Sequence, residues 1–190
     1  KPIAAGRRFR NDGETCAVVE LHPEGMRIVD NPVQVVTNAP YLEWHLTNVS
    51  NYLNLSPSNP QPVEIGGTTF VPTGQGEGFR GLPADESSPS RFLRVLANVT
   101  FATPSADRQA ALLDTIRILH GFDLVPGTVM ESTPAGPAPL LTMWSTVADL
   151  TGGAYLYNTI ADPVWYSIDL ASTDFSSSRS VPLAKGGAFT

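Results

Sequence analysis

The chain has 190 residues, of which 42% are hydrophobic, and carries a net charge of −6; this is enough for one folded domain with a real core. The acidic balance and the lack of a lysine and arginine cluster argue against a nucleic-acid or anionic-membrane partner, and no apolar stretch has the length of a membrane span. One cysteine and three well-separated histidines exclude a disulfide framework and predict no metal site, and no motif predicts a cofactor.

The first part of the chain predicts three strands after a polar, basic and irregular segment at residues 1–13. Residues 15–21 and 26–30 are predicted strands, and the turn residues between them predict a hairpin. Cys16 lies within the first of these strands and is interpreted as a small buried residue rather than a nucleophile. Residues 33–37 are apolar and rich in β-branched side chains, which predicts a third, buried strand.

Asn38 lies between this third strand and a predicted helix. Pro40 ends the strand, and apolar residues then recur at helical spacing to about residue 53. These residues are Leu42, Leu46, Val49 and Leu53. The Asn38 amide has two interpretations: it stabilises the turn, or it donates hydrogen bonds to negative charge that develops on a substrate carbonyl. Spacing alone favours the turn.

The middle of the chain predicts a long loop followed by two helices. Residues 56–83 are rich in Pro, Gly and Ser, with a short strand at 68–71, and a loop of this length is usually functional or an assembly element. Ser88 is the predicted N-cap of the next helix, and Ser105 begins the one after it. The predicted buried stripes of the two helices are Phe92, Val95, Leu96 and Val99, then Leu112, Leu113, Ile116 and Leu119.

The last part of the chain predicts strands. Residues 122–139 are a Pro- and Gly-rich connection, and strands follow at residues 140–148, 154–159 and 164–170. Because strands, helices and strands follow one another in groups, the chain is expected to have an α+β fold with antiparallel sheets.

Arg91 is the second residue that invites a functional interpretation. It lies in the first turn of its helix, where the helix dipole disfavours a cation, and it borders the apolar stripe while Arg94 points elsewhere. Arg91 is therefore expected to have a partner outside its own helix. Sequence alone favours a local ion pair with Asp85 or Glu86 over a functional role.

Two stretches around these residues resemble the choloylglycine hydrolase family, the bile salt hydrolases and penicillin V acylases. The stretch V-V-T-N-A-P-Y-L-E-W-H-L-T-N-V-S-N-Y, which contains Asn38, is similar to the family's V-L-T-N-x-P-x-x-x-W-x-x-x-N-x-x-N-Y. The stretch G-F-R-G-L-P-A-D-E-S-S-P-S-R-F-L-R, which contains Arg91, is similar to the family's G-x-x-G-L-P-G-D-x-x-x-x-S-R-F-x-R, with Ala84 in place of the usual glycine. Residues 142–159 resemble the family's late hairpin.

This resemblance implies an N-terminal-nucleophile (Ntn) hydrolase fold, an αββα sandwich of two antiparallel sheets between helical layers. Residues 1–190 would be the C-terminal part of a single such domain. The implied activity is the hydrolysis of a linear amide: a conjugated bile salt, penicillin V or an N-acyl homoserine lactone. The resemblance implies that Asn38 stabilises the oxyanion. It also implies that Arg91 lies beside the nucleophilic thiol, where its charge favours the thiolate.

The family's nucleophile is an N-terminal cysteine whose own α-amino group is the base, and no residue of this chain matches it. We therefore expect this chain alone to be inactive and to need a missing N-terminal portion as its partner. The resemblance also implies a possible homo-oligomer and a bacterial cytoplasmic or periplasmic location. The alternative hypothesis is a non-catalytic binding or assembly module that retains half of the fold.

Overall fold

The computed structural model describes residues 8–11 and 16–178. The chain divides into two compact units, Lys1–Thr103 and Pro104–Thr190. Both units combine helix with antiparallel strands, which confirms the α+β prediction. Among the described residues, no helix is both long and apolar enough to cross a membrane.

The first unit contains a three-stranded antiparallel sheet, made of β1 (Arg8–Asn11), β2 (Cys16–His22) and β3 (Gly25–Asp30). The strand order is β1-β2-β3, so the predicted β2–β3 hairpin is confirmed. β1 lies within residues 1–13, for which the sequence predicts no strand. In β2, alternate side chains face inward and are buried, as strand geometry requires.

The third predicted strand is wrong. Residues 33–37 are not paired with any strand in the described part of the chain, and Gln34 adopts a positive φ of 55°, which interrupts an extended backbone. Val35 is nevertheless buried and belongs to the core cluster. The apolar run is therefore explained by core packing rather than by strand pairing.

Helix α1 (Leu42–Val49) follows, and a short 3₁₀ turn (Ser50–Tyr52) extends it. This confirms the predicted helix and places Leu42 fully inside the core. Leu53, however, is 78% exposed. Because the 3₁₀ turn has fewer residues per turn than an α-helix, Leu53 no longer lies on the buried face.

The long segment after α1 contains β4 (Val63–Ile65) and β5 (Thr68–Phe70), which pair as a hairpin. The short strand predicted at 68–71 is therefore confirmed.

Helix α2 (Ser88–Phe101) begins one residue earlier than the sequence predicts. Its N-cap is Ser87, whose side chain accepts a hydrogen bond from the backbone N–H of Ser90, so Ser88 is the first helical residue. Phe92 is fully buried, whereas Val99 is 49% exposed and does not belong to the buried stripe.

The core of the first unit joins β2, the segment before Asn38, α1 and α2. Its fully enclosed members come from one element each: Val18, Val35, Leu42 and Phe92. Partly buried residues of the same elements pack around them. This core brings the segment that contains Asn38 against the beginning of α2.

The second unit contains helix α3 (Arg108–His120). Its N-cap is Asp107, so the helix begins later than the predicted start at Ser105. The Asp107 carboxylate accepts from the backbone N–H of Ala110 at 2.9 Å, while Ser105 donates to Asp114. Leu113 is exposed, although the sequence predicts it in the buried stripe.

Within the residues that the structure describes, the second unit also contains five strands. They are β6 (Met130–Thr133), β7 (Gly136–Pro139), β8 (Trp144–Asp149), β9 (Ala154–Thr159) and β10 (Asp162–Asp169). The last three form an antiparallel sheet in the order β10-β9-β8. The sequence predicts all three strands, but β8 begins at residue 144 rather than 140, and β10 begins at residue 162 rather than 164. The β6–β7 hairpin lies in a stretch that the sequence predicts to be a connection, because its proline and glycine content is typical of loops.

Candidate active site

The structure brings the two predicted site residues, Asn38 and Arg91, into direct contact. The Arg91 Nη2 donates a hydrogen bond to Asn38 Oδ1 at 2.7 Å, across 53 residues of sequence. Since the amide oxygen accepts from the guanidinium, the two N–H donors of the same amide lie on the other side of the group. Asn38 is exposed, so these donors are accessible to a ligand.

The prediction that Arg91 forms a local ion pair with Asp85 or Glu86 is wrong. Glu86 pairs with Arg94 at 2.8 Å instead. Asp85 accepts a hydrogen bond from the Ser90 hydroxyl at 2.6 Å. Arg91 is half-buried, and its Nε atom has no hydrogen-bond partner in the described part of the chain. The arginine is thus directed at Asn38 rather than at its sequence neighbours.

The start of α2 also holds the backbone next to Asn38. The Ser88 hydroxyl accepts from the Ala39 N–H at 2.9 Å. One end of α2 therefore makes two contacts with this segment: Ser88 with its backbone and Arg91 with the side chain of Asn38. The following Ala39–Pro40 peptide bond is cis.

The residue before Asn38 is held by α1. The Thr37 hydroxyl lies 3.2 Å from Nε2 of His45, and the buried His45 ring stacks on Phe92 with ring centroids 4.4 Å apart. His45 thereby links the candidate site to the most enclosed aromatic residue of the core.

Asp85 and Cys16 are among the groups of the first unit whose pKa values are shifted. Hydrogen bonds from Ser87 and Ser90 lower the pKa of Asp85 to about 2, so this carboxylate stays charged at neutral pH. Burial raises the pKa of the Cys16 thiol, which therefore stays protonated. The prediction that Cys16 is a buried residue is confirmed. No group of acidic, histidine and cysteine side chains in the described ranges has an arrangement that suits a metal ion.

Sequence reasoning also missed Glu20, a buried acidic residue. It occupies an inward position of β2, in register with Cys16 and Val18, and its carboxylate accepts from the backbone N–H of Leu42. The signal that was available is the alternation itself, because every second residue of a half-buried strand faces the core. A carboxylate at such a position needs a buried partner.

The antiparallel α+β fold and the two motifs together indicate the Ntn-hydrolase fold class. A sequence model described as "Linear amide C-N hydrolases, choloylglycine hydrolase family" matches residues 9–181. The chain therefore belongs to the choloylglycine hydrolase family, and the resemblance found in the sequence is confirmed.

Relatives and solved structures agree with this family. The bile salt hydrolase/transferase of Bifidobacterium longum is 30% identical over 177 residues, which are 93% of this chain and 55% of the relative. The enzyme of the same description from Clostridium perfringens is 32% identical over 157 residues, 80% of this chain and 46% of the relative. The chain thus spans about half the length of these relatives.

The fold is similar to two solved structures. A variant of the conjugated bile acid hydrolase from Clostridium perfringens superposes with a TM-score of 0.78 and 27% identity, over 93% of this chain and 53% of that one. Penicillin V acylase from Agrobacterium tumefaciens has a TM-score of 0.61 at 18% identity, over 83% of this chain and 43% of that one, which is a likeness of fold alone. These Ntn-hydrolase neighbours confirm the predicted fold class.

Proposed function

We propose that this chain is the C-terminal part of an enzyme that hydrolyses linear amides, with Asn38 and Arg91 in its active site. The observation that carries the proposal is the hydrogen bond from Arg91 to Asn38 Oδ1. It joins the two family motifs in space and leaves the amide donors of Asn38 exposed. Within the family, conjugated bile salts are the first substrate class to test, and penicillin V and N-acyl homoserine lactones follow.

The proposed reaction begins with the thiolate of an N-terminal cysteine in the portion that precedes this chain. Its sulfur forms a bond to the amide carbonyl carbon, and the carbonyl π electrons move to the oxygen. Asn38 Nδ2 donates to that oxyanion, and the positive charge of Arg91 favours the thiolate and holds Asn38. The α-amino group has taken the thiol proton and passes it to the amide nitrogen as the oxyanion re-forms the carbonyl and the C–N bond breaks. The amine leaves, and water hydrolyses the thioester to the acid and the free thiol.

The role of Asn38 is tested by Asn38→Ala in the complete natural gene product, with glycine-conjugated bile salt as substrate and released glycine as the readout. Loss of one oxyanion donor lowers kcat on the order of a hundredfold or more. Asn51→Ala is the matched control, because Asn51 is also exposed and donates to another asparagine, Asn48. A wild-type kcat in Asn38→Ala would refute the role.

The alternative is a non-catalytic module that covers its apolar strand surface with a partner chain. β3 exposes Met26 and Ile28, and an apolar surface of this kind is usually covered. Intact mass and N-terminal sequencing of the protein from its natural source separate the hypotheses. A cysteine-initiated species larger than 20.3 kDa supports the amidase, whereas a lone species that begins at Lys1 supports the module.

A further inference from the structure

Glu20 is a buried carboxylate to which the proposed reaction assigns no part. It is 1% exposed, which is unusual for an acidic side chain and unfavourable unless both oxygens find partners. Its Oε1 accepts from the backbone N–H of Leu42 at 2.8 Å, and its Oε2 lies 3.2 Å from His22 Nε2. The carboxylate therefore joins the end of β2 to the start of α1.

A second set of contacts strengthens the same connection. The Tyr41 ring stacks on the His22 ring at 3.8 Å between centroids, and the Tyr41 hydroxyl donates to the Leu21 carbonyl at 3.1 Å. His22 is in turn the residue that faces Glu20. β2 thus holds the two residues at which α1 begins, through one buried carboxylate and one aromatic stack.

The segment from Asn38 to Leu42 is consequently held at both ends. α2 holds its beginning through Arg91 and Ser88, and β2 holds its end through Glu20. With the second attachment lost, the Leu42 N–H would be buried without its acceptor, and the start of α1 would shift to satisfy it. The segment that contains Asn38 would then lose one of the attachments that fix its position.

We infer that Glu20 is a positioning residue for Asn38: it acts on turnover through the place that it gives the Asn38 amide, and not through the substrate. The inference rests on the proposed role of Asn38. A catalytic group that moves by about 1 Å loses on the order of a hundredfold in rate, so a buried acceptor that fixes the segment has a measurable effect on kcat.

The test is a double-mutant cycle in the complete natural gene product, with release of glycine from a glycine-conjugated bile salt as the assay. Glu20→Leu is expected to lower kcat at least about tenfold and to change KM less than about twofold. Glu20→Gln keeps an acceptor for the Leu42 N–H and is expected to restore kcat to within about threefold. Glu43→Leu is the matched control, because Glu43 is an exposed carboxylate next to Leu42.

The cycle separates positioning from a general loss of folded enzyme. If Glu20 acts through Asn38, then Glu20→Leu has little further effect in an Asn38→Ala background. An equal fold-loss of kcat in both backgrounds would overturn the inference, because destabilisation does not depend on Asn38. Should Glu20→Leu fail to fold, Glu20→Asp takes its place, since its shorter side chain withdraws the acceptor from Leu42 and keeps the charge.

Failure of the proposed function is distinguishable from failure of this inference. A wild-type kcat in Asn38→Ala alone refutes the role of Asn38, and the inference about Glu20 is overturned with it. A strong effect of Asn38→Ala together with a wild-type kcat in folded Glu20→Leu overturns only the inference about Glu20.

Discussion

Replacement of Arg91 by alanine removes the hydrogen bond that orients Asn38. The contact is short, 2.7 Å, and its donor is charged. Hydrogen bonds to charged groups contribute about 1.5–3 kcal/mol, and about 1.4 kcal/mol corresponds to a tenfold change in rate. Because Asn38 is exposed and solvent competes for its amide, we expect a loss nearer to tenfold than to a hundredfold in kcat.

The same helix offers a matched control. Arg94 lies one turn further along α2 and pairs with Glu86 at 2.8 Å, and it also donates to the Ala84 carbonyl. It does not contribute to the contact with Asn38. Arg94→Ala removes an equal charge and a side chain of equal size, so it is expected to lower stability while kcat changes less than about twofold.

A third variant separates charge from orientation. Arg91→Lys keeps the positive charge but replaces the planar fork by a single ammonium group. If Arg91 acts by orienting Asn38, the loss of kcat in Arg91→Lys is expected to be nearly as large as that in Arg91→Ala. The assay is kcat for release of glycine from a glycine-conjugated bile salt, measured on protein whose circular dichroism matches the wild type.

Two results would refute this reasoning. The first is a wild-type kcat in Arg91→Ala, because the contact with Asn38 would then have no role in turnover. The second is an equal loss in Arg91→Ala and Arg94→Ala, which would assign the effect to the charge or stability of α2 rather than to the site.

Three further predictions concern stability and the thiol. Phe92→Ala is expected to lower the free energy of unfolding by about 3–5 kcal/mol in urea titrations, and Val99→Ala, at an exposed position, by under about 1 kcal/mol. The fold lowers the pKa of Asp85 to about 2, so the charged carboxylate stabilises the folded state above its ordinary pKa of 3.8. We therefore expect Asp85→Asn to be less stable than the wild type at pH 6. This difference in the free energy of unfolding disappears as the pH falls towards 2. Cys16→Ala is expected to leave kcat within about twofold, and the native thiol reacts with a disulfide reagent more slowly than the unfolded thiol, because burial raises its pKa.

Each of these has an outcome that contradicts it. Equal losses of stability in the two alanine variants would mean that the core is not centred on Phe92. A stability difference in Asp85→Asn that stays constant down to pH 2 would mean that the carboxylate is not what stabilises the start of α2. Abolished turnover in Cys16→Ala would make that cysteine the nucleophile.

Much of the first unit could be predicted from sequence, because its signals are local. The β2–β3 hairpin follows from two strand-forming stretches around turn residues, and helix α1 follows from apolar spacing after Pro40. Errors occur where a local signal has more than one cause. Residues 33–37 are apolar because Val35 enters the core, and they form no ladder in the part of the chain that the structure describes.

The partner of Arg91 illustrates what sequence proximity misses. Two carboxylates lie close by in the chain, Asp85 and Glu86, and a local ion pair was the simpler expectation. In the structure, Glu86 instead forms an ion pair with Arg94, and Asp85 accepts a hydrogen bond from the Ser90 hydroxyl. Arg91 forms its hydrogen bond with Asn38. This contact depends on how two segments that are distant in sequence pack together.

The sequence by itself determined the family, the fold class and the two residues on which the proposed chemistry depends, because motifs and periodicity are properties of residues near one another in the chain. Only the tertiary structure decided that Arg91 meets Asn38 and that the buried Glu20 holds the start of α1. These contacts cross 53 and 22 residues of sequence. They exist because one core of Val18, Val35, Leu42 and Phe92 draws four separate segments together, and no local pattern encodes which polar groups then become neighbours.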